Sequence, residues 1–172
     1  LRDLAAARDV TFTLHAPFRG ANLANHNEQL RRAAVEAVKD SLDRAHAIDA
    51  GGVVVHAGSI PRRYPDRVVA LAREQAVRSV RECARHADDL GVHCSVENQR
   101  RKESAVRFTD TPDRLATFLD DVGVDSEYLA VTLDVGHAKV TGAPPEAYVE
   151  AVGDRIQICH LHDNDGVHDA HE

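Results

Sequence analysis

The sequence predicts an α/β fold built on parallel strands. Short β-branched segments alternate with long amphipathic ones, and each strand-like segment ends on a side chain able to bind a metal or move a proton. Alternation of this kind joins parallel strands through crossover helices. It fits a doubly wound sheet or part of a (β/α)8 barrel. A complete barrel needs about 250 residues, so five strands in 172 residues make an incomplete one. We expect residues 1–172 to form one partial domain, without a low-complexity linker.

The first strand is "VTFTLHAP" (10–17), which alternates apolar and polar residues until Pro17. Residues 28–49 then place Leu30, Ala34, Val38, Leu42 and Ala45 at helical spacing. "GGVVVHAG" (51–58) is a β-branched run between glycines, the second strand. Residues 66–90 form a second helix on Val69, Ala72, Ala76, Val80, Cys83, Ala87 and Leu90. "GVHCSVEN" (91–98) is the third strand, and "NQRRKESAVR" (98–107) reads as a basic loop after it. "TPDRLATFLDDVG" (111–123) has a Thr cap, Pro in the first turn and Gly past its end, as a helix requires. "YLAVTLDVGHA" (128–138) is the fourth strand, 145–152 a short helix after Pro144, and "RIQICHLHD" (155–163) the fifth strand.

Composition narrows the function. Apolar residues make up 43% of the chain, and the formal net charge is −7, which opposes binding to polyanionic nucleic acid. Aromatic residues at 4% offer few surfaces for stacking bases. No apolar run reaches the ~20 residues of a membrane helix. Cys83, Cys94 and Cys159 are widely spaced without a CxxC, which suits a reducing cytoplasm, and Cys94 and Cys159 read as buried thiols in apolar strands. The chain holds no Met and stops just after a His/Asp cluster, so a fragment is expected.

His15, His56, Glu97, Asp134 and His160 end the five strands, at intervals of 41, 41, 37 and 26 residues. Side chains alternate across a strand. In the first four strands the apolar set, such as Val92, Cys94 and Val96, opposes the polar set, such as His93, Ser95 and Glu97. One face should pack on helices and the other point inward, placing the last residue of each strand at the C-terminal rim, where barrel enzymes keep their active sites. The fifth strand breaks this rule, because Ile156 and Ile158 share parity with His160. A mixed His, Glu and Asp set suits zinc, manganese, iron or cobalt. Asp134 and His137 stand three apart across a Gly turn, and Asp169 and His171 two apart on a loop, so both pairs can join the site. An EF-hand calcium loop around Gly166 fails, since Leu161 would occupy its first ligand position.

With these residues together, the chain resembles the xylose isomerase-like TIM-barrel superfamily. The resemblance rests on "HAP" (15–17), "HAG" (56–58), "VEN" (96–98), "LDVGHA" (133–138), "HLHDND" (160–165) and "DAH" (169–171), in order along nearly the whole chain. It implies a (β/α)8 barrel covered here over about strands three to seven. It implies metal ligands at Glu97, Asp134 and His160. In the endonuclease IV-like branch, which binds three zinc ions, His15, His56, His137, Asp169 and His171 would join them. "DVGH" and His162 depart from that branch, while Gly166 stands where keto-sugar epimerases carry an Arg.

The expectation is therefore a cytoplasmic, divalent-metal-dependent sugar or sugar-phosphate isomerase or epimerase. One to three ions of Mn, Zn, Co or Mg would serve it. Glu97 and His137 are the expected catalytic residues, with His15, Asn98 and Arg100 on the substrate. A zinc-dependent apurinic endonuclease is the alternative, with DNA a partner only in that case; a non-catalytic sugar-binding barrel is the third.

Overall fold

The computed structural model of the chain describes residues 1–170. Seven strands occur among them: β1 (Thr13–His15), β2 (Gly52–Val55), β3 (Ser59–Pro61), β4 (His93–Glu97), β5 (Ala105–Arg107), β6 (Leu129–Asp134) and β7 (Ile156–His160). Five form one parallel sheet in the order β1-β2-β4-β6-β7. The strands follow chain order without the reversal of a doubly wound sheet, so the sheet is a curled segment of a barrel. β3 and β5 pair as a separate antiparallel ribbon. β3 follows directly on the segment read from sequence as the second strand, and β5 falls at the end of the basic loop.

The helices are α1 (Arg2–Arg8), α2 (Glu28–Ile48), α3 (Asp66–Leu90), α4 (Pro112–Val122), α5 (Val135–Thr141) and α6 (Pro145–Val152). α2 starts where the Asn27 side chain accepts from the backbone N–H of Gln29 and Leu30, and α4 where Thr111 accepts from Arg114 N–H. α4 stops at Gly123, whose φ of 61° lies in the left-handed region that glycine adopts without strain. The core lies between these helices and the outer sheet face: Val53, Val55, Cys94, Val96 and Val131 meet Val38, Leu42, Ala76, Val80, Leu115 and Phe118. Leu30, assigned to this stripe by spacing, is instead exposed. Arg31 takes a buried place one residue on, its guanidinium shared by Glu28, Ser79 and Glu82 across α2 and α3.

The anomalous parity of the fifth strand has a structural cause. Val131 pairs with Ile156 but Thr132 with Ile158, so β7 carries a bulge at Gln157. The extra residue flips the strand: Ile156 packs with the outer core, while Ile158 and His160 share the inner face with Thr132 and Asp134. Cys159, expected buried, is exposed on the last strand of this sheet. The segment 135–138, expected to continue the fourth strand, is helical, because the Asp134 side chain caps it by accepting from His137 N–H.

Candidate active site

The inner face of the sheet is a polar column. Thr132 Oγ1 donates to Ser95 Oγ at 2.7 Å between β4 and β6, one layer below the rim. Above it the five strand-end side chains converge on one cavity of about 490 Å³, lined by His15, His56, Glu97, Asp134, His137 and His160 among others. Asp169, from the loop after β7, reaches the same cavity. His171 lies outside the described residues.

Glu97 is the floor of the cavity, 2% exposed. Its Oε1 accepts from His160 Nδ1 at 2.9 Å, and His56 Nε2 stands 2.6 Å from Oε2. Burial by itself would raise its pKa, but the hydrogen bonds from His160 and His56 and the nearby imidazoles outweigh it and hold the carboxyl well below its usual range. Asp134 behaves alike: burial raises it, while His160, His137 and the His137 N–H bring it below its ordinary value. Seen from the other side, Asp134 and Glu97 push His160 up to about 9.

The donors fit a divalent cation. Two triads, His15–His56–Glu97 and Glu97–Asp134–His137, each hold their ligand atoms within 4.8 Å of one another and share Glu97. His160 Nδ1 lies 2.9 Å from Glu97 Oε1 and 3.5 Å from Asp134 Oδ2. Tautomers are fixed from outside. A backbone carbonyl can only accept, so His15 Nδ1–H donates to Ala16 O at 2.8 Å and His137 Nδ1–H to Asn98 O at 2.9 Å. That leaves the His15 Nε2 lone pair available, the usual support for a metal-ligating histidine. His137 Nε2 lies 3.3 Å from Asp169 Oδ2. The two carboxylates are held ionised, and burial lowers His15 toward its neutral form, the ligand forms that zinc or manganese takes.

Asn98, expected on the substrate, bonds the backbone of Asp134. It is fully buried, its Oδ1 accepting from Asp134 N at 2.6 Å and its Nδ2 donating to Asp134 O at 2.9 Å. Its amide therefore locks the end of β4 to the end of β6 and positions Asp134.

Four residues join the site without a sequence signal that singled them out. His162 Nε2 lies 3.0 Å from Asp134 Oδ1, and its place depends on Gly136, where an added Cβ would collide with the imidazole. Gly136→Ala should push His162 off Asp134, destabilise the protein by about 2 kcal/mol through overpacking, and weaken metal affinity about tenfold. Denaturant titration and metal titration of the full-length variant check both. Phe18 and Arg19 follow β1 at the mouth, Phe18 with its ring 5.2 Å from His15 and 4.9 Å from His56. Arg107 comes from β5. Their only prior signal was position, just past a strand end or in a basic run. His46 and His86 lie on helices away from the site, with His86 Nε2 2.8 Å from Asp43 on the surface.

A parallel barrel segment with a histidine–carboxylate cluster at the C-terminal ends of its strands defines a class: barrel proteins whose rim residues could hold a metal ion. The chain belongs to the xylose isomerase-like TIM-barrel family, whose model matches residues 1–172. It is 33% identical to an uncharacterized protein of Methanocaldococcus jannaschii over 99% of this chain and 57% of that one. It superposes on the crystal structure of a D-tagatose 3-epimerase-like protein with a TM-score of 0.87 and 31% identity, over 99% of this chain and 62% of the other. A D-psicose 3-epimerase crystallised in the presence of D-fructose shares the fold, with a TM-score of 0.78 and 20% identity over 94% of this chain and 55% of its own. The chain thus spans about three fifths of the length of these relatives. No described helix is long and apolar enough to cross a membrane.

Proposed function

We propose that the full-length protein is a divalent-metal-dependent epimerase or isomerase of a sugar or sugar phosphate. The observation that carries this reading is Glu97, an ionised carboxylate buried at the floor of the rim cavity and bracketed by His56 and His160. The relatives named above as sugar epimerases support it. Glu97, Asp134 and His160 would hold the ion, with His15, His56, His137 and Asp169 placed to complete it or to hold a second. When bound, such an ion polarises a substrate carbonyl and its neighbouring hydroxyl.

The chain's own residues do the rest. Glu97, unprotonated at neutral pH, takes the proton from the carbon beside the carbonyl. The C–H electron pair becomes the new C=C bond, and the carbonyl electrons move to oxygen. Return of a proton to the opposite face of the same carbon re-forms the carbonyl and inverts that carbon; return to the former carbonyl carbon, with the adjacent hydroxyl proton passing to the former carbonyl oxygen, moves the carbonyl. His137 Nε2 is placed to orient a hydroxyl, and Phe18, 48% exposed at the mouth, offers a flat apolar surface to the C–H face of a sugar ring.

Zinc-dependent phosphodiester hydrolysis is the second reading, favoured by the two donor triads sharing Glu97, which could gather more than one ion. One experiment separates the two. The full-length protein is incubated with ketoses and ketose phosphates in D₂O. Epimer or isomer carrying solvent deuterium, abolished by chelation and restored by Mn²⁺, is the expected result. Cleavage of an abasic oligonucleotide without deuterium exchange would replace this reading by the second.

A further inference from the structure

The rim of the cavity is cationic to a degree that moving a proton does not require. Arg19, Arg100 and Arg107 line it in a chain whose net charge is −7. Among the described residues their three charges balance Glu97, Asp134 and Asp169. The basic run read from sequence is sorted by the fold: Arg100 and Arg107 line the cavity, while Arg101 and Lys102 are exposed elsewhere.

Arg107 differs from its neighbours. Arg100 Nε has a carboxylate, Asp169 Oδ2, at 3.3 Å. Arg107 ion-pairs with no carboxylate among the described residues; Nη1 donates to Arg100 O at 2.9 Å, and Nε is buried without a hydrogen bond. Its backbone is fixed by the ribbon, where it pairs with Ser59, and by Arg114 Nη1, which donates to its carbonyl at 3.2 Å. Burial and the adjacent Arg100 both disfavour its charged form. A half-buried guanidinium with unused donors is costly unless something satisfies it. Its planar fork matches a phosphate or carboxylate in two-point fashion.

We propose that Arg107, with Arg100 beside it and Arg19 at the mouth, seats an anionic group of the substrate, so that the substrate is a sugar phosphate or a sugar acid and not a neutral ketose. This rests on the epimerase reading above, and it gives Arg107 a specificity role. A cavity of about 490 Å³ has room for a hexose carrying such a group.

The test compares D-fructose, D-fructose 6-phosphate and D-fructuronate as ligands of the full-length protein by calorimetric titration, at low and high salt. At least one anionic sugar should bind about tenfold or more tightly than D-fructose, a preference reduced by salt. The phosphate and carboxylate arms identify which anion is seated. Arg107→Gln should weaken the favoured anionic sugar at least about tenfold more than it weakens D-fructose, and Arg107→Lys should recover part of the difference. Thermal melting of both variants shows whether they fold. Equal affinities for the three sugars, or a preference that folded R107Q retains, overturn the inference. Deuterium exchange into D-fructose without anion preference sinks it and leaves the epimerase reading standing. Arg107-dependent anion binding without any exchange supports the seat and removes that reading instead.

Discussion

Glu97→Gln in the full-length protein should lower turnover by at least about a thousandfold while leaving the fold intact. Gln keeps the size of Glu and an acceptor oxygen for His160, so the packing of this buried site survives. What disappears is the negative charge, and with it both the proton acceptor and an ionised metal ligand. A second readout is independent of activity. His160 is pushed up to about 9 by Asp134 and Glu97; without the Glu97 charge its titration in the metal-free protein should move down toward its ordinary 6.5. The sign follows from linkage: a raised histidine pKa records stabilisation of the protonated ring, present below 6.5 and lost as pH rises through about 9. NMR titration of the variant gives the shift, and a rate assay gives the loss. Unchanged turnover in a folded Gln variant would remove Glu97 from the chemistry.

Asp134 should show two separable effects. Its Oδ1 caps α5 by accepting from His137 N–H at 2.7 Å and also meets His162, while Oδ2 lies 3.5 Å from His160. Asp134→Asn keeps a capping oxygen but loses the charge; Asp134→Ala loses both. Both variants should bind Mn²⁺ or Zn²⁺ at least about a hundredfold more weakly. Only the Ala variant should also lose the cap, about 1 kcal/mol beyond the Asn variant. Metal titration and chemical denaturation of the pair measure the two effects. Equal metal affinity in wild type and Asp134→Asn would exclude this carboxylate as a ligand.

Much of this architecture is legible along the chain because strand and helix periods are local. Alternation in "GVHCSVEN" sorts Cys94 and Val96 to the core and Ser95 and Glu97 inward, as the structure has them. The left-handed stop at Gly123 and the Thr111 cap need only neighbouring atoms. β7 resists such reading, since Ile156, Ile158 and His160 look co-facial, whereas the bulge turns Ile156 to the opposite face from the other two. The ribbon of β3 and β5 joins Ser59 to Arg107, a pairing no local window contains.

The sequence by itself determined the parallel α/β alternation and the inward aim of His15, His56, Glu97 and Asp134, because side-chain direction follows from a period of two residues. Tertiary structure alone decided which groups meet: His162 on Asp134 over Gly136, Asn98 turned to backbone, Cys159 exposed, and Arg107 without a carboxylate among the described residues. The reason is that burial and pairing depend on atoms brought together from distant parts of the chain. Side-chain identity fixes what a group can donate or accept; the fold fixes what stands opposite it.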